Sequence, residues 1–293
     1  MNRPSAPISL VSGAAPSGGA PGLEEKRERL AGILLGLGRT LVAYSGGVDS
    51  TVLLWEAHRV LRHRACGVIA DSPSLPRAEL EAALALAGRA GIPVRVVPTR
   101  ELERAGYREN GPDRCYHCKV ELFETLGSMA AQEGWDALAY GAVTDDLGDD
   151  RPGMSAAEER RVRAPLLEAG WSKVEVRALA RRLGLPTWDK PQSACLASRI
   201  PHGTEVTPER LLQVERAEAG LREALGVRVL RVRHEGGRAR IEVAGEDVGR
   251  ISEARTLARI RLFLSTLGFG EVTVDPLGYR RADPLPGPEQ EAI

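Results

Sequence analysis

Residues 23–37 (LEEKRERLAGILLGL) form an amphipathic run with its charges gathered at Glu24 to Arg29, a pattern that predicts a helix. Residues 40–44 (TLVAY) follow as a short apolar strand ending at Ser45, and the next helix is predicted over 51–62. The order then repeats: strand 65–71 (ACGVIAD), helix 76–90, strand 93–97 (PVRVV), helix 115–133, strand 136–141 (DALAYG) and, after a polar loop, helix 173–184. Strands alternating with helices imply right-handed crossovers, and so an α/β fold on a doubly wound parallel sheet. Such sheets bind ligands outside the carboxyl ends of their strands. Each motif below falls in a segment able to reach that edge.

Beyond about Ile200 the pattern changes to helix 208–224, strand 227–234, a Gly236-Gly237 turn, strand 238–243, helix 247–267 and strand 270–275. This α-β-β-α-β unit reads as a smaller C-terminal α+β domain. The domain boundaries expected are therefore 23–199 and 200–281. Residues 1–22 are mostly Ala, Gly, Pro and Ser, too poor in bulky side chains to offset the cost of ordering, and are expected to form a disordered tail. Residues 282–293 are expected to form a loose end.

Composition narrows the function classes. The 293 residues, 43% of them hydrophobic, suffice for one large core and a smaller one. Lys plus Arg and Asp plus Glu are both 40, a formal charge of +0, which removes the simplest electrostatic argument for a protein that tracks nucleic acid. No apolar run approaches the roughly 20 residues that cross a bilayer, and the N-terminus lacks the layout of a secretory signal, so a cytoplasmic protein with no membrane partner is expected. Four cysteines, two of them as Cys115-Tyr-His-Cys118, do not resemble a disulfide framework and fit reduced thiols better.

Residues 45–51 (SGGVDST) lie where a strand passes into a helix, presenting backbone N–H groups, hydroxyls and a helix N-terminus to an anion. Gly46 and Gly47 let the backbone approach a phosphate. Ser45, Ser50 and Thr51 supply donors, and Asp49 is placed to hold a Mg²⁺ bridging pyrophosphate oxygens. No Lys follows the loop, so it is not a Walker A site. A Gly-rich turn capped by Ser50 or Asp49 is the other reading of SGG alone. The whole string resembles the PP-loop of the ATP pyrophosphatase superfamily, which includes GMP, NAD and asparagine synthetases and tRNA thiolases. That resemblance implies ATP cleaved between its α- and β-phosphates and an adenylated intermediate.

A second acidic segment, residues 142–153 (AVTDDLGDDRPG), follows the strand at 136–141. It suits ribose, metal or substrate, or is a solvated loop. It looks like the superfamily's second motif, with Thr144 where Asn is usual, and adds Asp146 to the ATP-binding set. Cys115 and Cys118 begin a helix, where the dipole favours thiolate. Cys195 lies between the two expected domains in KPQSACLASRIP. Three such thiols suit a [4Fe–4S] cluster with one open iron, or a zinc site completed by His117 or His202. A structural or redox CxxC is the plainer alternative. Cys66, inside an apolar strand, reads as a small buried hydrophobe.

Together these strings resemble the LarE-type ATP-dependent sulfur transferases over residues 23–281. The supporting segments are AYSGGVDST, NGPDRCYHCK, GAVTDDLGDDRPG, SKVEVRALARRLGLPTWDKPQSACLASRIPHGT, Arg231 and Arg233 in RVLRVRHE, and the late GYR. The resemblance implies that a carboxylate of a pyridinium dicarboxylate mononucleotide is adenylated with loss of pyrophosphate, and that sulfur then displaces AMP. Some members of the family sacrifice the sulfur of one cysteine. Aligned back from Ser198-Arg199 that position falls at Ala194, with Cys195 one residue later, so the resemblance points to the three-cysteine type, with a [4Fe–4S] cluster on Cys115, Cys118 and Cys195 as catalytic sulfur carrier. Ser198, Arg199, Arg231 and Arg233 are implied for the anionic substrate, the alternating arginines facing one side of a strand. Glu218 is implied as a metal ligand by family position, a solvated helical Glu being the alternative. Lys173 and Arg177, one turn apart, either reach ATP phosphates or decorate a helix. A homo-oligomer is expected, and a PP-loop tRNA thiolase is the competing reading.

Overall fold

The computed structural model describes residues 22–147, 152–191 and 194–280. Both expected tails apart from Gly22, and Asp149, Asp150 and Arg151 of the acidic segment, lie outside the described residues. The strands β1 (Thr40–Ala43), β2 (Ala65–Asp71), β3 (Val94–Pro98) and β4 (Ala137–Tyr140) form a parallel sheet in the order β3-β2-β1-β4, with Leu41 opposite Cys66 on one side and Leu138 on the other. The helices of this part are α1 (Leu23–Leu37), α2 (Val48–Leu61), α3 (Arg77–Arg89), α4 (Ala105–Arg108), α5 (Arg114–Glu133), α6 (Pro152–Glu159), α7 (Pro165–Glu168) and α8 (Lys173–Arg182).

Strand alternation sends the sheet's side chains into two cores. Val42 and Ile69 join Leu30, Leu34, Leu53, Trp171 and Leu179 under α1, α2 and α8. Leu41, Val68 and Cys66 join Phe123, Leu126 and Ala156 under α5 and α6. Cys66 is buried and free, as its strand position implies, and burial pushes its thiol up. Helix α8 starts at a reciprocal capping box: Ser172 N–H donates to Glu175 Oε2 at 2.8 Å, and Glu175 N–H to Ser172 Oγ at 3.4 Å. Lys26 ties α1 to that cap through Glu175 at 2.8 Å and the Gly170 carbonyl at 2.7 Å.

The C-terminal part comprises α9 (Pro208–Leu225), β5 (Leu230–Glu235), β6 (Arg238–Val243), α10 (Gly245–Ser252), α11 (Ala254–Thr266) and β7 (Glu271–Val274). Its three strands run β5-β6-β7, with β5 antiparallel and β7 parallel to β6. Gly236 and Gly237, both at positive φ, make the hairpin turn. The single helix expected over 247–267 is two helices, broken at Glu253, whose backbone is extended (φ −55°, ψ 135°). Ile251 and Ile260 are both buried in the same core. In one continuous helix, at about 100° per residue, they would lie on opposite faces, so a break is what lets both turn inward. Among the described residues, no helix is long and apolar enough to cross a membrane.

Helix α2 begins at Val48 rather than at residue 51, with Gly47 as its extended N-cap, so Asp49, Ser50 and Thr51 occupy its first turn. Gly141, just past β4, lies against that turn: a Cβ there would meet Ser50 N at 2.8 Å and Asp49 C at 3.0 Å. Both are main-chain atoms and cannot swing aside. Gly141→Ala is expected to cost about 1–3 kcal/mol and to weaken ATP binding, whereas Gly32→Ala, with nothing within 4 Å of its added carbon on α1, should stabilise by about 0.5–1 kcal/mol. Urea midpoints and nucleotide titrations of the two variants check this pair.

Candidate active site

The phosphate loop is braced by its own side chains. Ser50 Oγ donates to the Gly47 carbonyl at 3.2 Å and lies 3.1 Å from Ser45 Oγ, while Thr51 Oγ1 donates to the same carbonyl at 2.7 Å. Gly46 has φ 71°, and a Cβ on it would meet the Ala83 side chain at 2.8 Å, so only glycine passes between the loop and α3. The hydroxyls thus shape the turn and leave its N–H groups at the head of α2 for an anion.

Asp49 stands out within it. Its Oδ1 is buried and accepts no hydrogen bond. Burial pushes its carboxyl up to about 6, with Lys173 and Arg177 pulling down and Asp146 and Asp145 pushing up. Asp146 is buried and accepts from Val143 N–H at 3.0 Å, and Asp145 accepts from Lys173 N–H at 2.8 Å. Thr144, standing in for the usual Asn, donates its hydroxyl to the Trp171 carbonyl at 3.1 Å. An orphaned buried carboxylate oxygen beside a second carboxylate fits Mg²⁺, which takes one or two carboxylates and draws its remaining ligands from phosphate and water.

Cys115 and Cys118 occupy the first turn of α5, and Cys195 caps the 3₁₀ turn Leu196–Arg199. Cys118 and Cys195 pack against one apolar cluster with Tyr107, Leu196, Ala197 and Ile200, while Cys115 is exposed. The helix N-terminus does not lower Cys118: burial, and then the neighbouring Cys195, push its thiol up to about 12. That corrects the expectation of a ready thiolate, because desolvation outweighs a dipole acting on a side chain that has turned inward. A Cys118 thiol that Cys195 and Cys115 make harder to ionise fits a cationic centre that would reverse it. Among the described residues, no group of three or more His, Cys, Asp or Glu is gathered for a single metal ion. Each candidate histidine has one ring nitrogen engaged: His117 Nε2 is 3.1 Å from Asp113 and His202 Nδ1 is 3.1 Å from the Asn110 carbonyl.

Two residues of the NGPDRCYHCK string clamp the cysteine segments together. Asn110, buried with φ 57°, donates from its amide to the Ile200, Pro201 and Thr204 carbonyls at 3.2, 2.7 and 2.9 Å. Arg114 donates to Asn110 Oδ1 and, at 3.0 Å, to the Ala197 carbonyl. From the other side, Leu196 N–H donates to the Ser74 carbonyl at 2.8 Å. The CxxC turn and the Cys195 turn are therefore held in register by protein bonds alone.

A cavity of about 570 Å³ opens on the far side of this turn, lined by Ser198, Arg199, His202, Arg114, Arg233, Arg240 and Arg280, with Glu235 and Glu242. The expected anion-binding residues play different parts in it. Arg233 reaches the Ser198 carbonyl at 2.8 Å and Glu242 at 2.8 Å. Arg199 is 2% exposed, with every nitrogen engaged: by Glu218 at 2.8 and 3.2 Å, by the Ala194 and Cys195 carbonyls at 2.7 and 3.0 Å, and by Ser198 Oγ at 2.9 Å. Arg231 lies deeper on the same strand face, 5.3 Å from the Tyr279 ring, and is not part of the cavity lining. Glu218 is 1% exposed, so it is not a solvated surface residue. Its oxygens are taken by Arg199, by Arg222 at 2.7 Å and by Val232 N–H at 3.0 Å, which makes it a counter-ion rather than a ligand for Mg²⁺. Burial alone would raise its carboxyl; Arg199 overcomes this and holds it below the usual range.

No family model matches the chain. The pyridinium-3,5-bisthiocarboxylic acid mononucleotide synthase of Lactiplantibacillus plantarum is 37% identical over 259 residues, covering 88% of this chain and 93% of its own. An uncharacterized protein of Synechocystis, slr1717, is 44% identical over 88% of this chain and 96% of its own. The tRNA-specific 2-thiouridylase MnmA of Azorhizobium caulinodans is 30% identical over 68% of this chain but only 60% of its own. The chain belongs to the LarE family. It is thus an ATP-dependent sulfurtransferase of the PP-loop superfamily, on the α/β fold that its strand and helix pattern implied.

Within this LarE family member, sequence reasoning gave no individual role to Asn110, Arg114 or Arg240, nor to Gly278 and Arg280 of the GYR string, which line the cavity. The Asn-Gly pair at 110–111 was a usable signal, since Asn is the residue after Gly most at ease at positive φ.

Two outcomes follow from this geometry. Because the Asp49 pKa in the folded protein, about 6, lies above its ordinary 3.8, the folded state holds a proton that the unfolded chain has released between those pH values. Stability therefore falls as pH rises through that window, and the cost is fully present above it. Asp49→Asn is expected to raise stability at pH 8 by about 1–3 kcal/mol, to lose that gain below pH ~4, and to abolish Mg²⁺-dependent ATP binding; urea midpoints at the two pH values measure it. Asn110→Ala is expected to cost about 2–4 kcal/mol and to speed alkylation of Cys118 and Cys195 relative to exposed Cys115, read by mass spectrometry of iodoacetamide-treated protein.

Proposed function

We propose that this enzyme adenylates a carboxylate of a pyridinium dicarboxylate mononucleotide at the phosphate loop and converts it to a thiocarboxylate with sulfur delivered at Cys115, Cys118 and Cys195. The observation that carries this reading is the placement of Lys190, Cys195, Ser198 and Arg199. Lys190 rests on the Gly46 carbonyl of the phosphate loop at 2.9 Å, Cys195 packs beside Cys118, and Ser198 and Arg199 wall the arginine-rich cavity. Residues close together in sequence thus border the places where ATP, sulfur and an anionic substrate would have to meet.

In the first half-reaction a carboxylate oxygen bonds to the α-phosphorus and pyrophosphate leaves. In the second, sulfide sulfur bonds to the acyl carbon and AMP leaves with the oxygen. Carboxylate oxygen is a poor leaving group until it is phosphorylated, which fixes that order. Asp49 with Asp146 would hold a Mg²⁺ that neutralises the departing pyrophosphate. Cys115, Cys118 and Cys195 would hold a [4Fe–4S] cluster, which supplies an open iron able to bind sulfide. The protein's own work is positional. Arg233, Arg240 and Arg280 orient the phosphate and carboxylates of the mononucleotide, and the apolar packing around Tyr107, Leu196 and Ile200 keeps water from the acyl-adenylate.

With ATP, Mg²⁺, sulfide and the mononucleotide under anaerobic conditions, pyrophosphate release should require the mononucleotide, and the product should gain sulfur in place of oxygen. Cys195→Ser is expected to keep mononucleotide-dependent pyrophosphate release and to lose thiocarboxylate. Arg233→Ala should raise the mononucleotide KM by about tenfold to a hundredfold with less effect on ATP. Pyrophosphate release that responds to tRNA and not to the mononucleotide would instead establish the thiolase reading.

A further inference from the structure

The phosphate loop carries amides, hydroxyls and a carboxylate but no cation of its own. The structure brings one from a distant part of the chain. Lys190 Nζ donates to the Gly46 carbonyl at 2.9 Å and also lies 2.5 Å from Glu79 Oε2. The backbone beneath that lysine is fixed: Arg177 donates to the Lys190 carbonyl at 3.1 Å and to the Trp188 carbonyl at 2.7 Å, and Lys190 N–H donates to the Thr187 carbonyl at 3.1 Å. The ammonium is thereby delivered to the loop's edge by a braced segment.

Its acidic partner is held less well. Glu79 Oε2 is buried and accepts no hydrogen bond, so the short approach of Lys190 is an ionic contact without hydrogen-bond alignment. Glu79 sits one turn before Ala83 on α3, and Ala83 is the residue against which Gly46 packs. The carboxylate is therefore anchored to the wall of the loop, while the ammonium, with three donors on a flexible stem, can change acceptors.

We propose that Lys190 is a phosphate-contacting cation of the ATP site and that Glu79 is its resident competitor. In the nucleotide-free protein the ammonium rests on Glu79. When a polyphosphate enters the loop, Lys190 exchanges the carboxylate for a phosphate oxygen and keeps its bond to the Gly46 carbonyl, so the loop is already shaped when ATP arrives. Lys190 thus does from afar what a lysine inside the loop does in other phosphate sites. The inference rests on the reading of residues 45–51 as the nucleotide phosphate site.

Calorimetric titration of the full-length protein with Mg²⁺ and the non-cleavable α,β-methylene analogue of ATP, and separately with pyrophosphate, tests it. Lys190→Met is expected to weaken both probes by about tenfold to a hundredfold and Lys190→Arg by less. Glu79→Gln should tighten both by about twofold to tenfold, an effect that should vanish in the double variant with Lys190→Met. Binding by Lys190→Met within about twofold of the parent protein, or weaker binding by Glu79→Gln, would overturn the proposal and leave Lys190 a brace of the loop. Glu79→Gln keeps the lysine in place, so it decides the matter even if Lys190→Met fails to fold. A parent protein that binds neither probe overturns the nucleotide-site reading itself, and this inference with it.

Discussion

The structure depends on the buried pairing of Arg199 with Glu218. Both side chains are 2% exposed, and their contact joins the Cys195 turn to α9 and, through Val232 N–H, to β5. The remaining donors of Arg199 hold the Ala194 and Cys195 carbonyls, so the guanidinium that fixes the second sheet also fixes the backbone of a sulfur-carrying residue. Removing one member of such a pair leaves an uncompensated buried charge, at a cost of about 3–5 kcal/mol. That link adds to the Asn110, Arg114 and Arg233 contacts that set the relative places of the cavity arginines and the thiols.

Around it the protein leaves selected groups incompletely satisfied. Asp49 has a buried oxygen with no donor, Glu79 Oε2 touches an ammonium without accepting its hydrogen, and Cys118 is a thiol that burial keeps from ionising. Glu56, fully buried, takes bonds from Arg27 and Arg59, whereas one oxygen of buried Glu101 is left without a partner as well. An open oxygen points to a ligand only where its surroundings do too, as the phosphate loop and the nearby Asp146 do for Asp49. On the proposed function these groups would meet a divalent cation at Asp49, a polyphosphate that draws Lys190 from Glu79, and an electropositive centre at the thiols.

The sheet and most of the helices were legible because their hydrophobic periods were clean, as in ACGVIAD and TLVAY. The helix over 247–267 was misjudged because a run of good helix formers does not reveal that Ile251 and Ile260 must face the same core. The phosphate loop was legible because its string combines glycine, hydroxyl and carboxylate at a strand-to-helix turn. The roles of Glu218 and Arg199 were not, because a charged residue on a helix or in a loop reads the same whether it meets substrate or another side chain, and only burial and partners separate the two. Lys190 and Asn110 sat inside strings singled out from sequence, yet each acts on a segment about 90 or more residues away, Lys190 on Gly46 and Asn110 on Ile200, and such contacts leave no local pattern.

Spending ATP on a carboxylate so that sulfur can displace its oxygen, as proposed, requires that oxygen to leave in AMP. Oxygen transfer tests this most directly. The pyridinium dicarboxylate mononucleotide, labelled with heavy oxygen in its carboxylates, is incubated with the enzyme, ATP, Mg²⁺ and sulfide, and the released AMP is examined by mass spectrometry. One labelled oxygen in AMP for each thiocarboxylate formed is the expected result. Unlabelled AMP alongside thiocarboxylate, or pyrophosphate release with no label transferred, would contradict the account.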